Sequence, residues 1–127
     1  MKDLAPLSEA QLEVIHVVWE KGECTLGEIW ADISGRKNVA RNTIQTLLSR
    51  MVDKGWLDYR QVGNAFVYRA TRERTAAYKQ ITKKFVEVAF QGSKEGLILS
   101  LLDGSTIDEN EANRLRKLID EAVARNQ

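Results

Sequence analysis

The sequence predicts a mainly α fold, with three short helices and a two-stranded hairpin over residues 1–71 and a wholly helical region over 72–127. Three observations predict it. Apolar residues recur at helical spacing up to about residue 54, the period changes to two from Trp56 to Ala70, and helical spacing then returns. Glycines stand at most of the changeovers.

Ser8 opens the first helix, and Gln11 three residues on completes a capping box. Leu12, Ile15, Val18 and Trp19 share one face, and Gly22 ends the run. Thr25 with Glu28 repeats the device, so Leu26, Ile29 and Ile33 face inward until Gly35. After the basic turn Arg36-Lys37-Asn38, a third helix is expected from about Ala40 to Lys54, burying Ile44, Leu47, Leu48 and Met51. Trp56–Val62 and Ala65–Ala70 read as strands joined by Gly63-Asn64, a two-residue hairpin loop. A hairpin alone is marginal in water, so it must lie against the helices. The order of three helices and a hairpin is that of a winged helix-turn-helix.

The rest of the chain carries apolar stripes. One is expected on a long helix from about Arg72 to Phe90 (Tyr78, Ile81, Phe85, Val88), broken at Gly92. A short helix follows with Leu97, Ile98, Leu101 and Leu102, ending near Gly104. Asp108 with Glu111 caps a last helix bearing Leu115, Leu118, Ile119, Ala122 and Val123. Such stripes cannot all be buried within three helices of one chain, and an isologous pairing of two chains is the expected remedy.

At 127 residues, with 43% hydrophobic and 29% charged side chains, the chain suits one core, or two units of which one is completed by a partner. No apolar run is long enough to span a bilayer, and MKDLAPLSEA lacks the pattern of a secretory signal. Cys24 is the lone cysteine, which excludes an internal disulfide and a thiolate metal cluster. The expected setting is reducing and cytoplasmic, with no cofactor and no membrane insertion. Cys24 precedes a helix start, where a thiolate would be stabilised as a redox switch; the alternative is an inert small residue. His16, the single histidine, has no evident catalytic partner and reads as a packing or surface residue, so no enzyme is expected.

The net charge of +1 conceals a strong asymmetry: −5 over residues 1–35, +9 over 36–84 and −3 over 85–127. A basic middle suits a local polyanion-binding surface, although a solvated charged face has the same composition. The third helix carries more weight. Between its inward residues it displays Arg41, Asn42, Thr43, Gln45, Thr46, Ser49 and Arg50, with no carboxylate before Asp53. Gln pairs bidentately with adenine, a Thr methyl meets the thymine methyl, and Arg reaches guanine or phosphate. Ordinary exposed helices mix Glu with Lys. Arg36 and Lys37 at the helix entry, and Arg60, Asn64 and Arg69 on the hairpin, are expected to grip phosphate or the minor groove, positioning the protein without specifying sequence. The competing reading is a winged-helix protein-interaction module without sequence-specific DNA binding.

Nearly the whole chain resembles the penicillinase and methicillin-resistance repressors, the BlaI/MecI family. The resemblance rests on LSEAQLEVIHVVWEKG, TLGEIWADI, NTIQTLLSRMVDKGWL, the aromatic Phe66-Val67-Tyr68 and SKEGLILSLL. It implies a homodimeric repressor that binds a dyad-symmetric operator, in many members that of β-lactamase or related genes. The family's DNA-contacting positions fall on Asn42, Thr43, Gln45, Thr46 and Arg50; better-known members carry Lys and Arg where this chain has Asn42 and Gln45. A different half-site preference follows. The resemblance also implies inactivation through a membrane sensor protease pathway, with cleavage aligned at Ser100–Leu101, where both residues differ from the family's Asn-Phe. The cysteine-rich C-terminal motif of the copper-responsive branch has no counterpart in EAVARNQ, so copper sensing of that type is not expected.

Overall fold

Local capping sets the first two helices. In the computed structural model, which describes residues 2–127, helix α1 spans Glu9–Lys21 and α2 spans Leu26–Ser34. The Ser8 hydroxyl accepts the Gln11 N–H at 3.2 Å while the Gln11 side chain accepts the Ser8 N–H at 2.9 Å. Thr25 and Glu28 make the same reciprocal pair before α2. Helix α3 spans Arg41–Asp53 after Ala40, which offers no side-chain cap. The hairpin strands fall where alternation predicts them, at Leu57–Val62 and Ala65–Ala70, with Val62 opposite Ala65 and Gly63 at φ +63° in the turn.

One strand was not foreseen. Glu23–Thr25 forms β1 and pairs antiparallel with the second hairpin strand, placing Cys24 opposite Tyr68. With the hairpin strands numbered β2 and β3, the sheet order is β1-β3-β2, so β3 is central. Three residues are too short to show an alternating pattern, and the pairing is long-range. The strand buries Cys24 to 1% exposure, which removes the redox-switch reading: burial, aided by the Glu28 carboxylate, pushes the thiol up to about 11. A thiolate is therefore not available near neutral pH.

The core lies where the three helices meet the sheet. Val14, Ile15 and Val18 of α1 pack with Ile29 and Ile33 of α2, Ile44, Leu48 and Met51 of α3, and Trp56 and Leu57. Trp56 donates its indole N–H to the Ala5 carbonyl at 2.7 Å, tying the N-terminal segment to the turn before β2. The side-chain oxygen of buried Gln11 serves two donors, since it also accepts from Lys54 Nζ at 2.9 Å. This arrangement is a winged helix-turn-helix.

The chain divides into two compact units, one running through Thr82 and the other Lys83–Gln127. Helix α4, Arg74–Ala89, begins in the first: Ala77 is buried there, and the Gln80 side chain donates to the Leu4 carbonyl at 2.7 Å. Tyr78 sets its ring 5.9 Å from that of Trp19, and His16 lies edge-on to Trp19 at 5.4 Å, a packing role for the histidine. The second unit contains the end of α4, α5 (Lys94–Leu102, capped by Ser93) and α6 (Glu109–Arg125, capped by Asp108). No side chain of α5 or α6 is fully buried; Leu99 is 69% exposed and Leu101 and Leu118 are each 60% exposed. Among the described residues, no helix is long and apolar enough to cross a membrane.

Candidate nucleic-acid interface

Helix α3 turns Ile44, Leu48 and Met51 into the core, and the same periodicity sends Arg41, Asn42, Thr43, Gln45, Thr46, Ser49 and Arg50 outward. All seven are exposed. The Thr46 hydroxyl donates to the Asn42 carbonyl at 3.1 Å, which commits its proton to the helix and leaves its methyl as the free recognition group. Arg41 is held from the side of α2. Its guanidinium lies over the Trp30 ring at 6.0 Å, and Trp30 donates its indole N–H to the Val39 carbonyl at 2.9 Å. One tryptophan thus fixes both the turn before α3 and the first basic residue of its outer face. Among the described residues, neither Arg41 nor Arg50 has a carboxylate within salt-bridge distance.

The flanking cations differ. Arg36 pairs with Asp32 at 2.6 Å and Lys37 with Glu13 at 2.8 Å. On the sheet, Arg60 reaches Glu23 at 2.8 Å and Arg69 reaches Asp58 at 3.0 Å. The Arg60 guanidinium holds the Glu23 carboxyl below its usual range, and Arg69 does the same for Asp58. Asn64 stands exposed at the hairpin tip.

Strand alternation sorts the wing into two faces. Asp58, Arg60 and Arg69 project from one. Tyr59, Phe66 and Tyr68 project from the other, with ring centroids 5.0 Å (Tyr59–Phe66) and 5.8 Å (Tyr59–Tyr68) apart. These aromatics share a groove of about 380 Å³ with Gln45, Ser49, Val52, Asp53 and Leu26. The wing surface contiguous with α3 is therefore aromatic, and the predicted wing arginines lie on the opposite face. The alternation at Tyr59, Phe66 and Tyr68 was readable; their position beside Gln45 and Ser49 depends on how the sheet packs, which the sequence does not display.

Of the residues expected to pair chains, Phe85, Val88, Ile98, Leu101, Leu102, Leu115 and Ile119 are exposed, while Ile81 and Leu97 are half-buried. Tyr78 is also exposed, and its ring packs against Trp19. Within the second unit, Ile98, Leu101, Leu102, Ile107, Leu115 and Leu118 line an open cleft of about 1050 Å³. Ser100 and Leu101 both lie exposed on α5. Among the described residues, no three His, Cys, Asp or Glu side chains cluster as a metal site would require.

The sequence profile of the penicillinase repressor family matches residues 7–121. A penicillinase repressor of Bacillus licheniformis is 26% identical over 121 residues, spanning 95% of this chain and 94% of the relative. The methicillin resistance regulatory protein MecI of Staphylococcus aureus (strain N315) is 25% identical over 113 residues, 89% of this chain and 92% of MecI. The solution structure of the Bacillus licheniformis BlaI monomeric form in complex with the blaP half-operator matches with a TM-score of 0.52 and 32% identity, covering 59% of this chain and 92% of that one.

Proposed function

The chain belongs to the penicillinase repressor family, as a DNA-binding repressor and not an enzyme, and on that premise we propose that it acts as a cytoplasmic homodimer on dyad-symmetric operator DNA. The observation that carries this reading is the outer face of α3, seven exposed residues without a carboxylate. Inserted in the major groove, Gln45 and Asn42 read base edges, Thr43 and Thr46 offer methyls to thymine, and Arg41 and Arg50 reach guanine or phosphate. Arg36, Lys37 and Asn64 complete the grip on the backbone.

Pairing of the second units follows from their apolar surface. Each ~100 Å² of apolar area removed from water is worth roughly 2.5 kcal/mol, and the cleft lined by Ile98, Leu101, Leu102 and Leu115 suits the side chains of a two-fold partner. Two-fold symmetry then spaces the two copies of α3 about one helical turn of duplex apart, ~34 Å or a multiple of it. Release is assigned to the tail. Cleavage at the exposed Ser100–Leu101 bond, at the end of a membrane sensor protease pathway, removes α6 from the pairing surface without touching α3. The regulated genes are proposed to be β-lactamase or related genes.

Gel-shift titration against the chain's own upstream region and against mixed-sequence duplex tests the reading. The upstream region is expected to bind at least ~10³-fold more tightly. Gln45→Ala is expected to relax preference at one base position, whereas Arg50→Ala weakens all sequences alike and flattens the salt dependence by about 0.9 in log–log slope. Equal, weak binding to both duplexes, untouched by either substitution, points instead to a protein-interaction module.

A further inference from the structure

Every charged residue of β2 and β3 belongs to one lattice on a single face of the sheet. Register puts Arg69 directly opposite both Glu23 on β1 and Asp58 on β2, and Arg60 occupies the next row of that face. The two guanidiniums are matched by two carboxylates, Arg60 to Glu23 at 2.8 Å and Arg69 to Asp58 at 3.0 Å. The wing strands thus carry no unpaired cation, in contrast to Arg41 and Arg50 on α3. All four side chains remain substantially solvent-exposed, and exposed pairs of this kind are weak enough to exchange partners.

We propose that Glu23 and Asp58 attenuate DNA binding: by pairing with Arg60 and Arg69 they withhold both guanidiniums from phosphate and so lower affinity for duplex of any sequence. The inference rests on the DNA-binding reading above. Phosphate contacts supply nearly all non-specific binding, whereas discrimination comes from base edges read by α3. An acid that competes for a wing arginine weakens binding to every duplex by a similar factor, and it leaves the base-reading residues untouched. The ratio of specific to non-specific affinity is therefore left to α3, and the acids set the absolute strength of binding and its dependence on salt. Sequence reading assigned Arg60 and Arg69 to phosphate without the acids, since Glu23 reaches Arg60 only through the unforeseen β1.

The test is a double-mutant cycle on the full chain, read by fluorescence anisotropy with a mixed-sequence duplex of about two helical turns over a range of salt. Glu23→Gln is expected to tighten binding several-fold, up to about eightfold near 0.1 M salt, and to steepen the log–log salt slope by about 0.9. In an Arg60→Gln background the same substitution is expected to gain clearly less, what remains coming from Arg69, which also stands opposite Glu23. Asp58→Asn with Arg69→Gln repeats the cycle on the other pair, and the Asn oxygen can still accept the Tyr59 N–H that Asp58 accepts at 2.8 Å. An unchanged affinity in Glu23→Gln and Asp58→Asn, or an equal gain with and without the arginine, overturns the proposal. If the unaltered chain binds no duplex even at low salt, the DNA-binding reading falls with it; binding without coupling overturns only the role of the acids.

Discussion

Individual side chains here are governed by their immediate partners more than by their type. Cys24 precedes a helix start, a place where a thiolate would be favoured, yet β1 buries it and pushes the thiol from the ordinary 9.0 up to about 11. Folding therefore favours the protonated thiol. The resulting stabilisation is fully present below pH 9 and is lost as the pH rises through about 11. Thermal or urea unfolding between these values should show an alkaline loss of stability that is shallower in Cys24→Ala, by about 2 kcal/mol at the upper end. At neutral pH the native thiol should resist alkylation until the chain unfolds. Arg36, Lys37, Arg60 and Arg69 make the same point with charge. Their basic character was legible in the chain, but their carboxylate partners were not, because three of the four pairs join residues on different elements. Asp32 and Arg36, four apart, are the exception.

At the scale of elements, reciprocal capping made α1 and α2 legible to the residue, since Ser8–Gln11 and Thr25–Glu28 are local and leave their signature in sequence. The hairpin was equally legible, through alternation and its Gly-Asn loop. Strand β1 was not, for its only cause is an open edge of β3 many residues away. Helix α3 depends on a neighbour for its start. Ala40 supplies no cap, and the turn before it is held by the Trp30 indole on the Val39 carbonyl. Trp30→Ala should cost about 3 kcal/mol in urea denaturation and weaken DNA binding by freeing Arg41. Trp30→Phe, which keeps a ring beneath the guanidinium but loses the hydrogen bond, should cost about 1 kcal/mol for that bond beyond any packing loss and retain more of the binding. Equal binding losses in the two variants would show that the ring does not position Arg41.

For the molecule as a whole, the order of helices, hairpin and helical tail could be read from changes of hydrophobic period, and the exposed face of α3 could be read with it. What the sequence could not display was where the compact unit stops. Ala77 and Gln80 of α4 pack into the first unit, so that unit runs through Thr82 and beyond the changeover near residue 71. The apolar stripes of α5 and α6, which the sequence already marks as more than three helices of one chain can bury, do lie open. The central claim is a division of labour, with reading in the first unit and pairing in the second. The most direct test compares the full chain with a fragment ending at Thr82, by light scattering and operator titration together. The account predicts a folded, monomeric fragment whose operator affinity falls by about 10²–10⁴-fold, the loss expected when two linked contacts become one. A fragment that dimerises and holds operator as tightly as the full chain would contradict it.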